Sequence, residues 1–207
     1  MRRLLFLGEG TSDEAIAVHV ERIADECGVP VVVTAPDIGR LRLEGRSIAA
    51  KLEAVRKMGA KYDLLLVHRD ADRSSRADRI AEIRVAVEKV MPDHQWVPVI
   101  PVRMTEAWLV LDEQLLREVA GNPTGRIALP IPTPRQAERM ADPKARLKEI
   151  LVTASELSGR KRKIFQNSYP YHRRLVLERI APAGGVMQLE SWRDFDRDLR
   201  EALVTMG

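Results

Sequence analysis

Three acids stand where buried strands would hand the chain to a loop: Glu9 in LLFLGEGTSDEA, and Asp70 and Asp72 in LLLVHRDADRSS. Carboxylates converging from distant stretches repel one another at neutral pH, so such a group either raises a pKa or holds a cation. Oxygen donors without partnering cysteine or histidine favour Mg2+ or Mn2+. Glu9, Asp70 and Asp72 are therefore the candidate metal ligands. Any one of these acids has a plainer account, because charged residues follow buried strands wherever the chain reaches solvent. The combination of an acid after the first strand and a DxD after a later one is what points to a metal.

Basic residues flank the acids. Arg69 and Arg73 bracket the DxD and can pair with a phosphate or neutralise the carboxylates, and Arg103 joins them if the fourth strand adjoins. Gly8 and Gly10 allow a tight strand-to-helix turn or a close phosphate approach, at a helix N-terminus that favours anions. His68, by alternation on the side of Asp70, reads as a satisfied buried histidine or as support for the site. Glu106 opens an expected helix, where it either completes the ligand set or serves the helix dipole. Trp108 reads as core. Further on, SGRKRKIFQNSYPYHRR gathers Arg160, Lys161, Arg162, Lys163, Arg173 and Arg174, either a nucleic-acid groove or a solvated loop run.

The elements that must position these residues are legible as alternating patterns. Apolar runs at 4–7, 31–34, 64–67 and 97–102 read as buried strands of a mostly parallel four-stranded sheet. Helical spacing fills the intervals at 11–27, with Thr11 and Glu14 at capping-box spacing, at 46–58 and at 76–90. The fold class is thus α/β, with helices flanking the sheet. A fifth helix is expected over 105–121, ending at Gly121. The Pro-rich stretch 121–136 reads as a long connection. Helices follow at 142–157, capped by Asp142 with Pro143 in the first turn, at 171–181, and at 191–203, with Ser191 and Asp194 at box spacing. The expected division is an α/β domain over 1–121 and a helical extension over 122–207 packed on it.

The 207 residues suffice for a sizeable core, and 45% hydrophobic with 31% charged residues is an ordinary globular balance. Aromatics at 4% weigh against an extended base-stacking platform, and 34 basic against 30 acidic residues give only a mild positive excess. The lone Cys27 excludes an internal disulfide and a cysteine-based zinc site, and the apolar run after Arg3 is too short for a leader or a membrane span. These features lead to an expected cytoplasmic location.

LFLGEGTSDEA followed by LLLVHRDADRSS resembles the Toprim fold of topoisomerases, bacterial-type primases, small recombination proteins and overcoming-lysogenization-defect nucleases. The resemblance implies that Glu9, Asp70 and Asp72 hold Mg2+ or Mn2+ for phosphodiester chemistry, with Glu9 also a proton relay. PVRMTEAWLVLD and SWRDFDRDL resemble an uncharacterised Toprim-like bacterial family often encoded beside ATPases in defence or mobile loci. Arg103, Glu106 and Trp108 keep that family's spacing, a resemblance that adds Glu106 to Glu9, Asp70 and Asp72 as candidate catalytic groups, while Met104 replaces a frequent acid and leaves one metal or two open.

Two functions of different classes follow. One is a divalent-metal-dependent nuclease, or related phosphoryl-transfer protein, acting on DNA or RNA, with a role in phage or mobile-element defence. The other is a Toprim-like accessory subunit that docks an ATPase. A haloacid-dehalogenase phosphatase is disfavoured, because its DxD follows the first strand, where this chain has Glu9. The chain also lacks GxxxxGK[ST] and a serine or cysteine nucleophile elbow.

Overall fold

The computed structural model describes residues 1–37, 40, 43, 45, 47–181 and 184–206. The chain forms two compact units, Met1–Ile100 with Asp194–Gly207, and Pro101–Arg193.

The first unit is built on four parallel strands, β1 (Arg2–Leu7), β2 (Val31–Thr34), β3 (Leu64–His68) and β4 (Trp96–Val99), in the order β2-β1-β3-β4. The α/β class with a parallel sheet agrees with the alternation in the sequence. Strand β3 and residues Leu4 to Leu7 of β1 are buried throughout, which is why they read as continuous apolar runs. Leu5, Leu7, Leu65 and Val67 pack with Leu52 and Val55 of α2 (Ile48–Lys57) and with Ile83 and Val87 of α3 (Arg76–Val90). Alternation sends Leu4, Phe6, Leu64 and Leu66 to the opposite face. Burying each leucine contributes ~1.5–3 kcal/mol. Strand β4 is shorter than the run at 97–102: it is an edge strand that accommodates Pro98, and Pro101 interrupts the chain soon after.

The first helix differs from its expected start. A 3-10 turn spans Thr11–Asp13, and α1 (Ile16–Glu26) begins only afterwards, with Ala15 as an uncapped N-cap. The Thr11–Glu14 box does not form. Asp13 instead accepts the Gly10 N–H at 3.3 Å, and Glu14 Oε1 has no hydrogen-bond partner among the described residues. Ser47 and Ser75 cap α2 and α3 as side-chain acceptors.

In the second unit the single helix expected over 105–121 is two elements. A 3-10 helix spans Thr105–Leu109, and Asp112 then caps α4 (Glu113–Val119) by accepting the Leu115 N–H at 3.0 Å. An aspartate there favours a new start over continuation. The Pro-rich connection contains α5 (Pro134–Arg139), capped by Thr133, and α6 (Pro143–Ser155) follows as expected. The basic run is no loop: it is α7 (Gly159–Asn167), joined through Ser168 to α8 (Tyr169–Arg179). The last helix, α9 (Glu190–Met206), starts before Ser191, so Ser191 is not its cap. Ser191 Oγ accepts the Trp108 Nε1–H at 2.9 Å, and its own N–H donates to Glu138 at 3.0 Å. Trp108 and Trp192 meet edge to face with centroids 5.0 Å apart, the aromatic centre of this unit. In the first unit, α9 is held by Arg76, which pairs with Asp194 at 3.1 Å and Asp198 at 2.5 Å.

Candidate metal centre

In the order β2-β1-β3-β4 the chain leaves β1 toward one side for β2 and returns on the other side as β3. At such a reversal the loops beyond the carboxyl ends part and leave a crevice. Glu9 lies two residues beyond Leu7, the end of β1, and Asp70 two beyond His68, the end of β3.

The structure brings Glu9, His68 and Asp70 together: one ligand atom from each lies within 4.8 Å of the others, a group that can hold a metal ion. His68 is fully buried at the end of β3, with Nε2 3.5 Å from Asp70 Oδ1 and Nδ1 3.7 Å from Asp13 Oδ2. Its Nδ1 also lies 3.3 Å from the Glu9 N–H, as acceptor. With Nδ1 accepting, the proton of a neutral ring sits on Nε2, toward Asp70. Ligation through Nε2 requires the other tautomer, its proton on Nδ1 and facing Asp13, the arrangement in which a carboxylate orients a metal-binding imidazole. Once the ring gives up the Glu9 N–H bond for that tautomer, the donor set can hold a cation and includes nitrogen, unlike the all-oxygen set expected. Nitrogen beside carboxylates suits Mn2+ better than Mg2+.

Asp72 does not join this group. The strand ends at His68, Asp72 adopts a left-handed backbone at φ 52°, and its half-exposed carboxylate takes the Arg79 guanidinium at 3.3 Å. The extended conformation that would have aligned Asp70 with Asp72 does not persist. Glu9 and Asp72 belong to one chain of charges nonetheless. Arg69 Nη1 pairs with Glu9 Oε1 and Arg69 Nε with Glu82 at 3.2 Å, while Arg79 joins Glu82 at 2.7 Å to Asp72. Arg69 is thus a neutralising partner, and Arg73 is exposed. Gly8 is required sterically, since a Cβ there would lie 2.9 Å from the Gly10 carbonyl oxygen; at Gly10 a Cβ would meet nothing within 4 Å.

Lys51 and Asp13 escaped the sequence reading. Lys51 Nζ donates to the carbonyls of Gly8 at 2.9 Å and Glu9 at 2.8 Å, gripping the loop that carries the first ligand. Burial lowers the Lys51 pKa, with the Arg69 charge acting the same way and the Glu9 and Asp13 carboxylates opposing. The available signal was a lysine on an apolar helix face, at the i+3 position between Ile48 and the buried Leu52 and Val55. Lys51, Glu9, His68, Arg69 and Glu82 line a cavity of about 210 Å³. A larger groove of about 410 Å³, lined by Ala49, Ala50, Glu53, Lys57 and Lys89, contains no acid cluster.

Glu106, Arg103 and Trp108 lie in the second unit. Glu106 is buried in the 3-10 helix and pairs with the equally buried Arg173 at 2.9 Å, so a first-turn α-helical role does not apply. The Tyr169 pKa is raised by burial and by the Glu106 carboxylate. Arg103 holds a left-handed backbone at φ 64°. Trp108 is core, as expected. Arg160, Lys161, Arg162 and Lys163 are all exposed on α7.

No family model matches the chain, and no curated protein or solved structure matches it.

Proposed function

We propose that this protein is a Toprim-like, divalent-metal-dependent nuclease or related phosphoryl-transfer protein acting on nucleic acid. A cytoplasmic role in defence against phage or mobile elements belongs to the same reading. The observation that carries it is the convergence of Glu9, His68 and Asp70 at the crevice between β1 and β3. A bound Mn2+ or Mg2+ would polarise a phosphoryl oxygen and acidify a water. Around it, Lys51 fixes the Glu9 loop, and Arg69 has a guanidinium that can exchange Glu9 for a substrate phosphate. Glu9, once released from Arg69, would take a proton from an attacking water. Gly10 and Arg73 are further proposed phosphate contacts of the first unit, and Arg103 is a proposed phosphate contact of the second. Among the described residues, no helix is long and apolar enough to cross a membrane.

A second reading is supported by one specific feature. Both Glu9 oxygens are satisfied internally, by Arg69 and by the Asp70 N–H at 3.1 Å, as in a site that does without an ion. That favours an accessory subunit docking an ATPase. Incubating the protein with labelled single- and double-stranded DNA and RNA in Mn2+ or Mg2+ separates the two. The nuclease reading predicts cleavage that is lost in Asp70→Asn. Absence of cleavage, with retained co-purification of an ATPase by Glu9→Gln, contradicts it.

A further inference from the structure

We propose that the α7–α8 corner of the second unit binds single-stranded nucleic acid, with Arg160, Lys161, Arg162 and Lys163 on backbone phosphates and the Tyr171 ring stacked on a base. This deepens the nucleic-acid part of the proposed function by naming the docking surface and the form of the partner.

Helix α7 buries no residue, although a helix of nine residues is normally stabilised by the apolar face it buries. What it exposes is charge. Its four consecutive cations make no ion pair among the described residues, whereas Arg69, Arg76, Arg79, Arg117, Arg173 and Arg200 are all paired. Arg160 and Lys163, three residues apart, are neighbours on the helix surface and repel. Arg160, Lys161 and Arg162 also lie in the first turn, against the helix dipole. A polyanion relieves both costs, so the complementary partner is a row of phosphates.

The aromatic component decides which polyanion. Of the nine aromatic residues, Tyr171 alone is exposed, at 62%; Trp108, Trp192, Phe6 and Phe195 are fully buried. Tyr171 belongs to a ladder. Phe165 of α7 stacks on His172 of α8 with centroids 4.1 Å apart, and His172 meets Tyr171 edge-on at 5.5 Å. Lys161, one turn before Phe165, shares its face, and Arg174, three residues after Tyr171, shares the face of the tyrosine. Ile164 is also exposed, at 57%. An exposed ring joined through His172 and Phe165 to the helix that carries the cations suits an unpaired base, which has a free π face; a duplex keeps its faces stacked inside. An anionic membrane would call for a broad apolar face opposite the cations, and α7 offers only Ile164.

Fluorescence anisotropy with labelled oligothymidine and oligouridine tests the surface in EDTA, where metal and cleavage play no part. The expected result is salt-sensitive binding of one or both single strands, weakened about tenfold or more by Tyr171→Ala and retained by Tyr171→Phe. Replacing Arg160, Lys161, Arg162 and Lys163 by alanine should flatten the salt dependence. Because these side chains are exposed, circular dichroism should show unchanged folding. The proposal is overturned if Tyr171→Ala binds like the parent protein, if duplex binds as tightly as single strand, or if only phosphatidylserine vesicles or no probe bind. Loss of cleavage with intact oligonucleotide binding would instead count against the nuclease reading alone.

Discussion

The main-chain N–H of Asp70 donates to Glu9 Oε2 at 3.1 Å, tying the segment after β3 to the segment after β1. The two segments leave strands already in register, Leu7 beside Val67, so the sheet ladder sets the spacing of the acids. Side-chain choice then decides what fills the space between them. Arg69 supplies a cation to Glu9, while Asp70 faces the His68 ring.

Lys51 is the residue on which the Glu9 loop depends. Lys51→Met keeps much of the volume but leaves the Gly8 and Glu9 carbonyls without their ammonium donor. Two charge-assisted bonds are lost, offset by relief from burying the charge, for an expected destabilisation of about 1–3 kcal/mol in urea unfolding. Mn2+ affinity should fall roughly 10- to 100-fold, as for other supports of metal ligands. A variant matching the parent in both measurements would remove Lys51 from the site.

Glu106 and Arg173 form a buried pair, so neither tolerates loss of the other. Glu106→Ala is expected to destabilise the protein by roughly 3–5 kcal/mol, because the buried Arg173 guanidinium loses the carboxylate that it pairs with at 2.9 Å. The double variant Glu106→Leu, Arg173→Met should recover much of that loss. Thermal unfolding of the three proteins checks this: a Glu106→Ala variant of parental stability would contradict a structural role for the pair.

The His172 ring is held neutral by burial, its pKa pushed below the ordinary 6.5. The unfolded state then binds the proton more readily, so stability is full above pH 6.5 and declines as pH falls through the window between 6.5 and the lower folded-state value. His172→Gln should remove that step from a plot of unfolding free energy against pH. An identical acid profile in the variant would show that His172 does not contribute to it.

The strands and most helices were legible because the sheet buries both faces of its central strands, leaving apolar runs between amphipathic segments. Starts and interruptions were harder to read. Asp112 splits an expected helix by capping a new one, and Gly10 with Asp13 replaces the box expected of Thr11 and Glu14. In the candidate site, Glu9 and Asp70 were accessible from their positions after β1 and β3. Asp72 was misplaced because the turn in which its backbone becomes left-handed has no signal in an alternating pattern. His68 was undervalued, since a buried histidine and a ligand histidine look alike until Asp70 is seen 3.5 Å away.

Titration calorimetry with Mn2+ tests the central convergence most directly. The parent protein should bind Mn2+ saturably, Glu9→Gln, His68→Gln and Asp70→Asn should lose that binding, and Asp72→Asn should retain it within a few-fold. No saturable binding by the parent, or loss in Asp72→Asn with retention in Asp70→Asn, would contradict the account.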